Sequence, residues 1–215
     1  MPQDTLLPPA DIPDLSSLHA QTEWAAVLRY FKGGGSSDIV THALFVNCVR
    51  LHDAAIREYG LGRQAILACH GRKPDEFGLG HIAEATTHFE SCIWHFERFI
   101  KHVRALRSLK SAEIELKELL PRDLSFLNQS AENQITQLRH TLAHLEGAAL
   151  RGEFLQGTSV ALMPLERGLS VSNHTISWSD LALWLRDAHA CIEKLSRFKS
   201  PSPSPSPSPS PSRKA

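Results

Sequence analysis

Nowhere in the 215-residue chain do about 18 or more apolar residues follow one another, so the sequence holds no candidate membrane-spanning helix. Net charge is also missing. The 23 Lys and Arg balance 23 Asp and Glu, so nucleic-acid binding requires a local basic patch rather than a field of the whole molecule. Cysteine is scarce: Cys48, Cys69, Cys92 and Cys191 stand far apart with no C-x-x-C pair, which excludes a zinc ribbon and argues against a disulfide framework. A reducing compartment fits that usage. The amino-terminal MPQDTLLPPADIPDL has acidic residues where an export signal needs basic ones, and Pro8, Pro9 and Pro13 interrupt any apolar helix there. A cytoplasmic protein is expected. With 42% hydrophobic and 21% charged residues, the chain can build one ordinary core.

The expected organisation is a flexible segment over 1–20, one helical domain over 21–199 and a disordered tail over 200–215. Ser200 to Ser212 is a strict Ser-Pro alternation with no apolar face to bury. Its period of two never produces P-x-x-P, so it does not read as a ligand for proline-recognition domains.

Between the ends the hydrophobic period is mostly helical. A short helix is expected over Thr22 to Lys32, stopped by Gly33, Gly34 and Gly35. Asp38 is a candidate N-cap for a helix that presents Val40, Leu44, Cys48, Leu51, Ala55 and Ile56 and ends near Gly60 and Gly62, with a shorter piece over Gln64 to Cys69. The longest helix should run from about His81 to Leu109, where Ile82, Phe89, Cys92, Phe96, Phe99 and Val103 make one wide stripe. A further helix over Ala131 to Ala149 carries Ile135, Leu138, Leu142, Leu145 and Ala149 at alternating spacings of three and four. Thr158 to Trp178 reads as one β-hairpin turning near Arg167 and Gly168, with Pro164 confining its strand to an edge. A last helix follows Ser179 as the capping candidate. The predicted fold is all-α: an up-and-down helical bundle with one small β-hairpin before the last helix.

Two polar patterns lie on the long helix. His81, His88, His95 and His102 recur every seven residues, but two helical turns separate neighbours by about 10.5 Å, too far to share one metal ion. They read as polar border residues of the stripe. Arg98, Lys101, Arg104, Arg107 and Lys110 face only Glu97 over Phe96 to Lys110, a basic end that suits either solvation or phosphate contact.

The sharpest feature is QLRHTLAHLEG over Gln137 to Gly147, where Arg139 and His144 bracket four residues. Arg63 with His70 and Arg167 with His174 have similar separations, but only Arg139 and His144 lie within a strongly amphipathic helix. Ideal geometry turns His140 and His144 away from the apolar seam by roughly 130° or more and sets Arg139 about 140° from His144. One helix brings that arginine and histidine together poorly, whereas two copies of the chain can supply both. His140 and His144 also have the one-turn spacing of two metal ligands, yet the glutamate of H-E-x-x-H is missing and no third ligand is assignable, so no metal is expected.

RHTLAH, with a polar residue after the arginine and a helix before and after, resembles the R-x-x-x-x-H signature of the HEPN superfamily of higher eukaryotic and prokaryotic nucleotide-binding domains. That resemblance implies an HEPN-like bundle and a metal-independent endoribonuclease, with no cofactor, acting as a homodimer on RNA. It assigns catalysis to Arg139 and His144, with His140, Arg98, Lys101 and Arg104 as substrate contacts. It further implies a toxin, abortive-infection or stress role and an antitoxin or nucleotidyltransferase partner. The alternative is a non-catalytic scaffold of the same fold that binds a nucleotide or a protein.

Overall fold

Asp38 starts the first long helix. Its carboxylate accepts from the backbone N–H of Val40 at 3.3 Å and of Thr41 at 3.1 Å, and from the Thr41 hydroxyl at 2.6 Å, satisfying donors that a first turn leaves unpaired. The computed structural model describes residues 11–19, 24–25, 27–28, 38–70, 78–110, 114–120, 123–152 and 161–197. In it helix α1 spans Ile39–His70 without a break. The expected end near Gly60 and Gly62, and the separate piece over Gln64 to Cys69, are therefore corrected. A Cβ at residue 62 would lie 3.0 Å from three atoms of the Phe89 ring, so this glycine permits a close approach rather than ending the helix. The apolar face simply continues past it through Ala65 and Ile66.

Helix α2, Leu79–Ser108, matches the predicted scaffold helix and buries Phe89, Cys92, Ile93, Phe96, Phe99, Ile100, Val103 and Leu106. Tyr59 meets Phe89 with ring centroids 5.9 Å apart and His52 meets Phe99 at 6.2 Å, so α1 and α2 run antiparallel. After the short helix α3, Ile114–Leu119, a 3-10 turn over Ser125–Leu127 plugs Phe126 against Phe96 and Phe99, at 5.8 and 5.6 Å. Asn128 then caps α4, Gln129–Leu150, by accepting from the Ala131 N–H at 2.8 Å. Ala131, Ile135 and Leu138 are buried, and Leu142 and Leu145 pack at the margin of the core, as the three-four pattern predicts. The side chain of Ala149 lies outside the described residues.

Between α4 and the last helix stands a three-stranded antiparallel sheet, β1 Met163–Leu165, β2 Gly168–Val171 and β3 His174–Ser177, rather than the single expected hairpin. The first turn falls at Glu166 and Arg167, and Gly168 has φ +159° with its Cα so close to β3 that a Cβ would sit 2.0 Å from the Ile176 carbonyl oxygen. The second turn lies between Val171 and His174, where Ser172 takes φ 53° without being glycine. Pro164 is on edge strand β1, as predicted.

Helix α5, Trp178–Ser196, is capped by Ser177 and not by Ser179: the Ser177 hydroxyl accepts from the Asp180 N–H at 3.0 Å. Trp178 meets Phe89 at 5.0 Å and His189 meets His52 at 5.2 Å, so α5 runs with α2 and against α1. The four long helices thus alternate in direction, and the protein is mostly helical with a small sheet. Among the described residues no helix is long and apolar enough to cross a membrane.

Part of the amino-terminal segment expected to be flexible is docked instead. Ile12 and Leu15 are buried, Tyr59 donates to the Pro13 carbonyl at 3.0 Å, and Arg63 donates to that of Ile12 at 2.8 Å. Trp24, Ala25, Val27 and Leu28 are helical; the rest of the Thr22 to Lys32 expectation, the glycine loop and the Ser-Pro tail lie outside the described residues. Cys48, Cys92 and Cys191 are buried thiols that serve as small apolar groups, with burial raising their pKa values.

Candidate functional site

Helix α4 packs one edge into the core and offers the opposite one to solvent. His140 and His144 stand on that open side, both exposed, with ring centroids 4.3 Å apart and planes tilted by 59°. Their direction follows from the helical period: the seam of Ile135 and Leu138 is buried behind them. Arg139 flanks the seam and reaches α2, where its Cζ lies 4.1 Å from the centroid of the Trp94 ring. Its Nε is buried and has no hydrogen-bond partner, so the π-face of Trp94 is what holds the guanidinium on this side. The structure therefore brings His140 and His144 together and seats Arg139 on a separate neighbour, in keeping with the 140° that divides arginine from His144 on an ideal helix.

The basic end of α2 is less positive in space than in sequence. Arg98 is exposed, but Lys101 pairs with the buried Glu97, and Arg104 pairs with Glu132 across the α2–α4 groove. That second pair, with Trp94 and Arg139, shows α4 running antiparallel to α2. An RNA phosphate would have to compete with Glu132 for Arg104.

The four heptad histidines are all half-buried border residues. His88 Nδ1 lies 2.7 Å from Glu58, His81 Nδ1 lies 3.4 Å from Glu84, and His102 Nδ1 lies 2.8 Å from the Arg98 carbonyl oxygen. Burial would raise the Glu58 pKa, but hydrogen bonds from His88 and Arg57 bring it below the usual carboxylate value. Burial lowers the pKa of His95; Glu58 pulls the other way, and Arg50, Arg57 and Arg98 add to the lowering.

Sequence reasoning missed the most unusual polar group in the core. His52 is fully buried, neither of its ring nitrogens has a hydrogen-bond partner, and His189 Nδ1 beside it is equally orphaned. Burial, with the nearby rings of His189 and His19, pushes the His52 pKa down to about 3, so this ring is neutral in the folded protein. The signal was legible: His52 lies four residues after Cys48 and four before Ile56 on the core face of α1. Also unforeseen is an open cavity of about 480 Å³ lined by Arg107, Asp123, Ser125, Asn128 and Asp187 among others, in which Asp187 accepts from the Ser125 N–H at 3.1 Å. Among the described residues no group of three or more His, Cys, Asp or Glu is arranged to hold a metal ion.

Comparison of the chain with family models, with curated proteins and with solved structures gives no match.

Proposed function

We propose that this chain is a metal-independent endoribonuclease of the HEPN type, of the toxin, abortive-infection or stress class, working as a homodimer whose paired α4 helices share one cleft. The observation that carries the reading is the open side of α4, where two adjacent imidazoles stand clear of the core. Arg139, on a different face of the same helix, is held by the Trp94 ring, which is why the reading needs a second copy of the chain to bring arginine and histidine together. In the proposed reaction a ribose 2′-hydroxyl attacks the adjacent phosphorus. His144 of one copy takes the hydroxyl proton as the new O–P bond forms, and His144 of the other copy delivers a proton to the 5′-oxygen as its bond to phosphorus breaks. Imidazole suits both transfers because its ordinary pKa lies near neutrality. Arg139 offsets the charge that grows on the phosphoryl oxygens, His140 and Arg98 hold flanking groups, and Lys101 and Arg104 contact the backbone once released from their carboxylates.

The test is cleavage of single-stranded RNA by purified protein in excess chelator, with cyclic-phosphate ends as the expected product. His144→Ala and Arg139→Ala should each abolish it; cleavage that persists in both variants rejects the assigned roles. One observation favours a second reading, a non-catalytic scaffold that docks a nucleotide or protein: the Trp94 ring already occupies one face of Arg139. That reading predicts binding without turnover and no effect of His144→Ala on affinity for a ligand seated elsewhere.

A further inference from the structure

His140 and His144 are the only two of the twelve histidines spaced three or four residues apart, and the helix between them fixes their separation. The sequence argued against a metal because two ligands leave a coordination shell unfinished. The two rings nevertheless stand close together on one face of α4. Two imidazoles that share an ion at about 2.0–2.1 Å per metal–nitrogen bond hold their ring centroids roughly 4.5–5 Å apart. The observed separation is 4.3 Å, close to that range, and both rings are open to solvent. The seven-residue series on α2 has no such option, because its members are two turns apart and His88 is tied to Glu58.

We propose that His140 and His144 form a bidentate surface site for a divalent transition ion of the Ni2+, Cu2+ or Zn2+ class, with water in the remaining positions. Imidazole nitrogen selects these ions over Mg2+ and Ca2+, which take oxygen ligands. Water completes the shell because the residues one turn to either side, Thr136, Gln137 and Gly147, add no carboxylate, thiolate or third imidazole. The small, exposed Ala143 leaves space for those waters on its side, whereas the Arg151 guanidinium stands over Gly147, 3.1 Å from where a Cβ would lie. Binding rests on this geometry alone. A consequence rests on the nuclease reading above: an ion on the His144 ring occupies the nitrogen lone pair that would take up a proton, so the same ion inhibits RNA cleavage and a chelator restores it.

The experiment titrates Ni2+ into the metal-free full chain, followed by calorimetry and by paramagnetic broadening of histidine ring signals. We expect one tight site per chain with the His140 and His144 resonances broadened first. His140→Ala and His144→Ala should each weaken it by no less than the roughly 10- to 100-fold that follows loss of a ligand's hydrogen-bond partner, while His81→Ala leaves it unchanged. Circular dichroism verifies that the variants remain folded. Equal affinity in wild type and both α4 variants overturns the site, whatever RNA does. If Ni2+ binds as expected but does not slow cleavage, the inhibitory role is overturned and the site stands. If no RNA is cleaved even in chelator, the nuclease reading fails while the binding data still decide the site.

Discussion

Two pairs of histidine rings, His52 with His189 and His140 with His144, have similar separations, 5.2 and 4.3 Å, and opposite surroundings. The first lies between α1 and α5, where His52 is fully buried against Phe99 and His189 is half-buried, and three of the four ring nitrogens are buried without partners. The second stands in solvent on one helix. Burial, not proximity, decides what the residue type does. Inside, desolvation keeps His52 neutral and makes it a cost to stability when the medium turns acidic; outside, the rings remain accessible to a proton, an RNA or an ion.

The largest effect expected from that contrast is on turnover. His144→Ala should lower RNA cleavage by about 10²- to 10⁴-fold and Arg139→Ala by roughly 10²- to 10³-fold, measured on labelled single-stranded RNA in chelator. His52→Leu, in a folded protein, should leave the rate untouched; a comparable loss there would break the contrast.

Acid stability comes next. Below about pH 6.5 the unfolded chain binds a proton on this ring, whereas the folded chain does so only below about 3, so the unfolded state takes up more protons between those values. Its contribution is fully present above about 6.5 and falls by about 1.4 kcal/mol per pH unit through that window. Urea unfolding from pH 7 to 4 should show that slope in wild type and a shallower one in His52→Leu. Equal slopes would mean that the buried ring is not the acid-sensitive group.

A smaller effect sharpens the role of the arginine. Trp94→Leu removes a cation–π contact worth about 0.5–2 kcal/mol, and thermal unfolding should register a loss of that order. RNA cleavage should fall less than in Arg139→Ala, since the guanidinium survives without its platform. The smallest change is expected for Glu132→Gln. Its partner Arg104 is half-exposed, so stability should move by less than about 1 kcal/mol, while RNA affinity rises as the cation is released and becomes more salt-dependent. Unchanged RNA affinity would remove Arg104 from the substrate contacts.

How much of this was legible varies with the range of the interaction. The long apolar stripes predicted α2 and α4 to within about two residues at either end, because a helical period is a local signal. The outward direction of His140 and His144 was readable for the same reason. Gly60 and Gly62 misled, since as punctuation they end a helix, whereas Gly62 is small because Phe89, on another helix, needs the room. The second β-turn escaped because Ser172 adopts the left-handed conformation that glycine usually marks. Trp94 under Arg139, and Glu132 beside Arg104, are meetings between residues 45 and 28 positions apart, and no spacing rule within one helix reveals them. For that reason the sequence overstated the basic patch.

The claim at the centre of the account is that both copies of the chain contribute His144 to one cleft. It is tested most directly by mixing wild type with an equal amount of His144→Ala, allowing subunits to exchange, and measuring RNA cleavage at constant total protein. A shared cleft leaves activity only in the wild-type pairs, so the rate should fall to about one quarter of that of the unmixed wild type. A rate near one half, in proportion to the wild-type chains present, would mean that each chain acts alone and would contradict the composite site.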